Sequence, residues 1–197
     1  MERSPRGEPP ARFIAALESI RAADWPRQAV LEEIPAPVRA ATYAVALEAH
    51  LPGPDDTDHS SGSFVLLHEP GGHAVWEGDF RIVTAARADL EPEMGADPFL
   101  AEVAWTYLAE SLELESLAMK HLAGTVTRTL SESFGGLKMR GSSVGVEVRA
   151  SWTPDGPDMG DQLIAWITFL AKLGGVELLP VGVIPLRPPA GNLRQPN

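Results

Sequence analysis

The chain has 197 residues, of which 44% are hydrophobic and 22% are charged, a composition typical of a globular domain with a substantial core. It contains no cysteine, which excludes disulfides, thiolate metal ligands and cysteine nucleophiles. The net charge of −11 is concentrated in residues 48–115, which hold 15 acidic and 2 basic residues and therefore disfavour nucleic acid and anionic membranes as partners.

The length and the distribution of apolar residues predict the organisation of the chain. Residues 1–9 are expected to form a disordered lead, residues 10–176 a single domain, and residues 177–197 a proline-rich tail. Neither a secretory signal nor a run of about 18 apolar residues is present, so the expected location is cytoplasmic.

The first helix is predicted from Pro10 to about Asp24, with Phe13, Leu17 and Ile20 on one face. Two prolines make residues 30–37 extended. Apolar alternation predicts strands over 42–50, 63–69, 73–90, 124–134 and 143–152, with a hairpin turn at residues 70–72. Helical periodicity predicts helices over 97–115 and 159–173.

Two similar strings indicate a decayed internal repeat. Residues 92–95 (PEMG) and 157–160 (PDMG) each follow a strand-like run with an Arg-Ala pair and precede a helix with an Ala-Trp pair. The Met-to-Trp spacing differs by about one helical turn between the two copies. We interpret each copy as a strand–turn–helix unit whose tryptophan, Trp105 or Trp166, packs in the core.

The predicted fold class is α+β, with element order α-β-β-β-α-β-β-α. Alternation in every strand favours an antiparallel sheet with one buried face, so three helices on that face would make two layers. This order and the acidic charge resemble the fold of type III secretion chaperones. The resemblance implies a small protein that dimerises and holds extended segments of a partner.

Most histidines lie close together in sequence and beside acidic residues. Imidazole and carboxylate groups could bind a metal or a small ligand at the ends of two neighbouring strands. The spacing matches no established zinc motif, and a solvated polar loop accounts for the acidic residues equally well. The residues concerned are His50, His59, His68, His73, Asp55, Asp56 and Asp58.

A serine motif and a glycine-rich loop lead to no catalytic assignment. Residues 141–145 match the G-x-S-x-G pattern of hydrolases, but a strand follows the serine where that motif requires a helix. Residues 135–141 contain two cations but lack the spacing of a phosphate-binding loop. We therefore predict no catalytic residue, no bound metal and no cofactor.

The face of the sheet that points away from the predicted helices carries the candidate partner site. Alternation places Arg87, Thr127, Glu147 and Arg149 on that face, with the two arginines at matched positions of the repeat. An ordinary solvated sheet face is the alternative. Arginine is enriched at protein interfaces, so these four residues are the predicted contacts with a protein partner or a second subunit.

Three segments resemble one uncharacterised family. Residues 31–37 (LEEIPAP), 124–129 (GTVTRT) and 148–154 (VRASWTP) are similar in order to an actinobacterial family catalogued as domain of unknown function three thousand. The resemblance covers about residues 10–175 and implies a cytosolic bacterial protein. It implies no activity and no functional residue.

These observations favour a non-enzymatic, chaperone-like or adaptor-like protein that binds a protein partner or forms a homodimer. The alternative is an enzyme or small-ligand protein that uses the histidine-rich region described above. Nucleic-acid binding through Lys138, Arg140, Arg187 and Arg194 is disfavoured by the acidic middle of the chain.

Overall fold

The computed structural model describes residues 8–52, 58–114, 117–135 and 142–179. The predicted element order is confirmed, and the extended segment after the first helix adds one short strand. In chain order the elements are α1 (Ala11–Ala22), β1 (Val30–Ile34), β2 (Tyr43–Pro52), β3 (Asp58–His73), β4 (Gly78–Leu90), a 3₁₀ helix (Pro92–Ala96), α2 (Leu100–Leu114), β5 (Met119–Glu132), β6 (Ser142–Pro154) and α3 (Gly160–Gly174).

The six strands form one antiparallel sheet in the order β1-β2-β3-β4-β6-β5, so β1 and β5 are its edges. Helix α3 packs on β2, β3 and β4, α2 packs on β5 and β6, and α1 packs against α3. The helices therefore cover one face of the sheet, which confirms the predicted two-layer α+β architecture.

Side-chain alternation explains which face the helices cover. In β4, Phe80, Ile82 and Ala86 belong to the hydrophobic core, whereas the intervening Val83 and Arg87 are exposed. Successive side chains of a strand point to opposite faces, so one apolar row can be buried while the other row remains in water. We call the uncovered side the open face.

Helix α3 forms the centre of the helical layer and is buried on most sides, because α1 and α2 flank it and the sheet lies beneath it. Its two ends are fixed by serines from other elements. At the start, the Met159 backbone N–H donates to Ser19 Oγ of α1 at 2.9 Å. Near the end, Ser60 Oγ of β3 donates to the Leu170 carbonyl at 2.8 Å.

The predicted hairpin turn at residues 70–72 is wrong. Those residues lie within β3, and the turn itself occupies residues 74–77. Gly71 and Gly72 adopt positive φ angles of 92° and 86°, and the β3–β4 register shifts between His68 and His73. The glycines thus allow an irregularity within the ladder, because glycine tolerates the left-handed region that most residues avoid.

The hairpin tip bends over one end of the open face. Thr153 Oγ1 donates to the Trp76 carbonyl at 2.8 Å, and Glu77 lies 3.1 Å from His121. Gly78 follows directly, and a Cβ atom there would come within 2.7 Å of the Thr153 methyl group. Gly78, where the sequence predicted a bulge or bend, therefore lies where two distant parts of the chain approach each other closely.

The two copies of the internal repeat lie side by side. The first comprises β4, the 3₁₀ helix and α2, and the second comprises β6, a turn and α3. Strands β4 and β6 pair antiparallel, so the copies are related by a local two-fold axis near the Ala86–Val148 pair. The matched residues Arg87 and Arg149 fall one position beyond that pair, in opposite directions along the sheet.

Both repeat tryptophans pack on the sheet beside a glycine of the neighbouring strand. Trp166 is fully buried and approaches Gly62 of β3, while Trp105 is half-buried and approaches Gly124 of β5. The absence of a side chain at these glycines leaves room for each indole ring. The predicted core role is thus complete for Trp166 and partial for Trp105.

Candidate partner-binding surface

The centre of the open face contains a hollow of about 380 Å³. Three of the four predicted contact residues, Arg87, Glu147 and Arg149, line it together with small side chains from β3 and β4. The complete lining is Glu48, Ser61, Gly62, Ser63, Ala85, Ala86, Arg87, Glu147 and Arg149. The structure therefore brings together residues that lie up to about a hundred positions apart in sequence.

The two matched arginines have different partners. Arg149 Nε lies 2.5 Å from Glu147 Oε1, two residues away on the same strand. Arg87 lies opposite Glu147 in the β4–β6 register, but its Nε donates to Ser61 Oγ at 2.9 Å. One guanidinium is thus paired with a carboxylate, and the other is oriented by a neutral hydroxyl.

Thr127, the fourth predicted contact residue, lies outside the lining of the hollow. It is exposed on β5 and pairs with Glu147 in the β5–β6 register, so it occupies the open face one strand further out. The structure fixes the position of all four residues, and their role in partner binding stays a prediction.

The sequence analysis did not identify Arg81, which lies on the same face as Arg87. Its Nη atoms donate to Ser151 Oγ at 2.6 Å and to Thr153 Oγ1 at 3.0 Å. Partial burial lowers the pKa of Arg81, because removal of water disfavours the charged form. Guanidinium groups stay protonated in proteins, so Arg81 still contributes a positive charge. The sequence did contain a signal for it, because Arg81 is six residues before Arg87 in the same strand and alternation places both on one face.

The electrostatic balance at the centre of the open face differs from that of the whole chain. Within the part of the chain that the structure describes, Arg81 and Arg87 bind hydroxyl groups and no carboxylate. Only Arg149 of this trio has an acidic partner. Along β4 and β6 the open face carries these three arginines and the two carboxylates Asp89 and Glu147, so it lacks the acidic excess that gives the whole chain its net charge of −11.

A second hollow of about 380 Å³ continues along the open face toward the edge strand β5. Its surface is mostly apolar or small, and it shares Arg149, Ser63 and Ala85 with the first hollow. Its other lining residues are Val65, Val83, Thr84, Ala123, Gly124, Thr125, Ala150 and Ser151. Short side chains of this kind let another backbone approach the sheet closely.

The four histidines of the proposed cluster do not converge. His68 is buried beneath α1, between Phe13 and Phe80, and His73 stacks on Trp76 at the hairpin. His50 and His59 lie near each other at the other end of the β2–β3 pair, where His50 faces Ser61, two residues from His59. Because a strand rises about 3.3 Å per residue, His59 and His73 of β3 are separated by tens of ångströms.

Within the described ranges, no group of three or more His, Asp or Glu side chains could hold a metal ion. Asp55 and Asp56, together with the side chain of Asp58, lie outside the described residues. The alternative grouped residues that are close in sequence, but residues on one extended strand can lie tens of ångströms apart.

One histidine of the group, His59, contributes to a separate cavity of about 530 Å³. This cavity lies on the helix side, between the 3₁₀ helix, α2 and the end of α3. Its lining is largely apolar, with His59, Asp89, Glu91 and Lys172 as polar groups. The other lining residues are Leu90, Met94, Leu100, Val103, Ala104, Tyr107, Val146, Leu173, Gly174 and Gly175.

The fold and this surface define an α+β protein whose helices cover one face of a six-stranded antiparallel sheet and leave an arginine-bearing face open. The chain belongs to the family described as "Protein of unknown function (DUF3000)", whose model matches residues 9–184. No curated protein and no solved structure shows significant similarity to the chain. Among the described helices, none is long and apolar enough to span a membrane.

Proposed function

We propose that this protein is a non-enzymatic, chaperone-like or adaptor-like binding protein that holds an extended acidic segment of a partner protein on its open face. The observation that carries this proposal is the pair Arg81 and Arg87, whose guanidinium groups hydrogen-bond to hydroxyls and not to carboxylates, beside a hollow lined mainly by small side chains. A cytoplasmic location and an actinobacterial source are part of the same proposal.

The shape of the surface supports an extended segment. A strand-like peptide presents alternate side chains to one side, and hollows along β4 and β6 can accept them at successive positions. The serine hydroxyls and small side chains around Arg87 allow the peptide backbone to come near the sheet. A helix, with a diameter of about 10 Å, fits such shallow hollows less well.

The charge of the surface supports acidic side chains in that segment. Arginine binds carboxylates through two parallel hydrogen bonds, which adds directional preference to the attraction. At physiological salt, interactions between exposed charges more than about 8 Å apart are largely screened, so most of the net charge of −11 does not repel an acidic peptide at this site. A direct contact with Arg87 is not screened in this way. The guanidinium groups of Arg81 and Arg87 therefore favour acidic side chains at this part of the surface.

A selection from a library of random 12-residue peptides tests this proposal. We expect the selected peptides to be rich in Asp or Glu and to bind Arg87→Glu at least tenfold more weakly, because the substitution replaces a cationic hydrogen-bond donor to the peptide carboxylate by a second carboxylate. Titration calorimetry of one selected peptide with each variant measures the change.

Arg21→Glu is the matched control. Arg21 is exposed in the last turn of α1, on the helical layer, and the substitution changes the net charge by the same amount. Equal losses for the two variants would show that total charge, not the open face, governs binding. Peptides without acidic enrichment that bind Arg87→Glu normally would contradict the proposal.

The cavity on the helix side favours a second candidate, small-ligand binding. Its volume of about 530 Å³ and its apolar lining with a few polar groups are typical of ligand pockets. A small-molecule screen by thermal shift would give ligands that raise the midpoint of thermal unfolding equally for the native protein and for Arg87→Glu. Val103→Trp, which narrows the rim of the cavity, would abolish the shift if the cavity is the site.

A further inference from the structure

The two edges of the sheet are protected to very different degrees. Strand β1 has five residues, carries Glu32 and Glu33, and is followed by Pro35 and Pro37. Strand β5 has 14 residues and no proline. Natural sheets protect their edges with short strands, charges and prolines, because an unpaired row of N–H and C=O groups pairs readily with another strand. Only β1 has this protection.

The regular part of β5 extends from residue 123 to residue 132. It begins after a bulge, where His121 has a φ of 54° and the register with β6 shifts between Lys120 and Ala123. Within residues 123–131 the only charged side chain is Arg128. Nearly all residues of this segment are exposed, so no described element covers its outer side.

The sequence of β5 is complementary to itself in one antiparallel register. When Val126 faces Val126 of a second copy, Thr125 faces Thr127, Gly124 faces Arg128 and Ala123 faces Thr129 of that copy. Threonine–threonine and apolar pairs stabilise neighbouring strands, whereas like charges directly opposite one another destabilise them. Centring the contact on Arg128 would place two guanidinium groups opposite each other, and centring it on Thr127 would place Val126 opposite Arg128.

We propose that two copies of this chain join through β5, antiparallel and centred on Val126, so that the two sheets become one continuous twelve-stranded sheet. The contact is isologous, since each copy presents the same strand to the other. It requires no partner peptide and is independent of the function proposed above.

The apolar side chains at the end of β5 support a second copy as the occupant. Leu122 and Val126 pack partly against the core on the helix side, and Leu130 continues their row at 63% exposure. In the proposed register, Leu130 lies one residue beyond the last regular pair, Thr129 with Ala123, and so reaches the bulge that contains Leu122 of the second copy. Burial of Leu130 at this end of the contact, twice per dimer, adds to the main-chain hydrogen bonds of the new ladder.

Two double variants test the register through charge. Thr125→Lys with Thr127→Lys places like charges opposite each other across the proposed contact, whereas Thr125→Glu with Thr127→Lys places opposite charges there. We expect sedimentation equilibrium to show a dimer of the native protein at about 100 μM, at least tenfold weaker association of the Lys/Lys variant, and retained association of the Glu/Lys variant. Added salt should reduce the difference.

A distance measurement gives a second, independent test that requires no loss of association. The chain contains no cysteine, so Thr129→Cys provides a single site for a nitroxide label. In the proposed register the two labelled Cα atoms lie six residues apart along the strands, or about 20 Å. A native protein that is monomeric at 100 μM, equal association of both double variants, or a clearly longer label distance would overturn the proposal.

Failure of the dimer and failure of the partner site can be told apart. Peptide binding is compared between native protein and Arg87→Glu, in which β5 is unchanged. Association is measured in the absence of peptide. Intact peptide binding by a strictly monomeric protein would therefore overturn only the β5 contact.

Discussion

Replacing Trp166 by alanine is expected to lower the free energy of unfolding by about 4 kcal/mol, because the indole is fully buried at the centre of α3. The ring packs against Phe64 at a centroid distance of 5.5 Å and approaches Gly62 beneath it. Its removal would leave a void between the central helix and the middle of the sheet. Urea unfolding followed by far-UV circular dichroism measures the loss.

A milder change separates packing from hydrogen bonding at this site. Trp166 Nε1 donates to Thr84 Oγ1 at 2.7 Å, and Thr84 is 2% exposed. Trp166→Phe keeps much of the ring but leaves the buried hydroxyl without its donor, which costs about 1–3 kcal/mol. Adding Thr84→Val removes that hydroxyl, so the double variant should recover part of the stability.

Trp105→Phe is the control for the Trp166 variants. Trp105 occupies the matched place in the repeat but is half-buried, so its substitution should cost clearly less. A similar loss at Trp105 and Trp166, or no recovery in the Trp166→Phe, Thr84→Val double variant, would contradict the assignment of Trp166 as the central packing residue.

The sheet and its faces could be predicted from the sequence because alternation is a local property of each strand. Arg87 and Arg149 follow this rule, and the structure places both on the open face of the sheet. The element order was predictable for the same reason. The spacing of apolar residues indicates helix or strand, and proline and glycine mark where each segment ends. The structure also shows the internal repeat as two adjacent strand–turn–helix units.

What the sequence did not predict depends on contacts between distant residues. The position of Arg81 matters only because Ser151 and Thr153 lie beside it on β6. The turn was misplaced because Gly71 and Gly72 fit a bulge as well as a turn. Strand order likewise determines that β5 is an edge, and no local pattern contains that information.

Gly62→Ala is expected to destabilise the protein by about 3 kcal/mol, an unusually large effect for adding one methyl group. A Cβ atom at this position would lie 2.7 Å from the Ala85 carbonyl oxygen and 3.2 Å from the ring of Trp166. Gly62 pairs with Ala49 on one side and Ala86 on the other, so β3 is held within the sheet and cannot move away.

Gly145→Ala is the matched control, because it makes the same change in a strand of the same sheet. The nearest atoms to its added Cβ lie 3.7 Å and 3.8 Å away, which is ordinary contact. Alanine also restricts the unfolded chain more than glycine does, so this variant should be neutral or about 0.5 kcal/mol more stable. Thermal and urea unfolding of the two variants compares them directly. Equal stabilities would mean that the indole of Trp166 does not rest on Gly62, and the packing of α3 on the sheet would need revision.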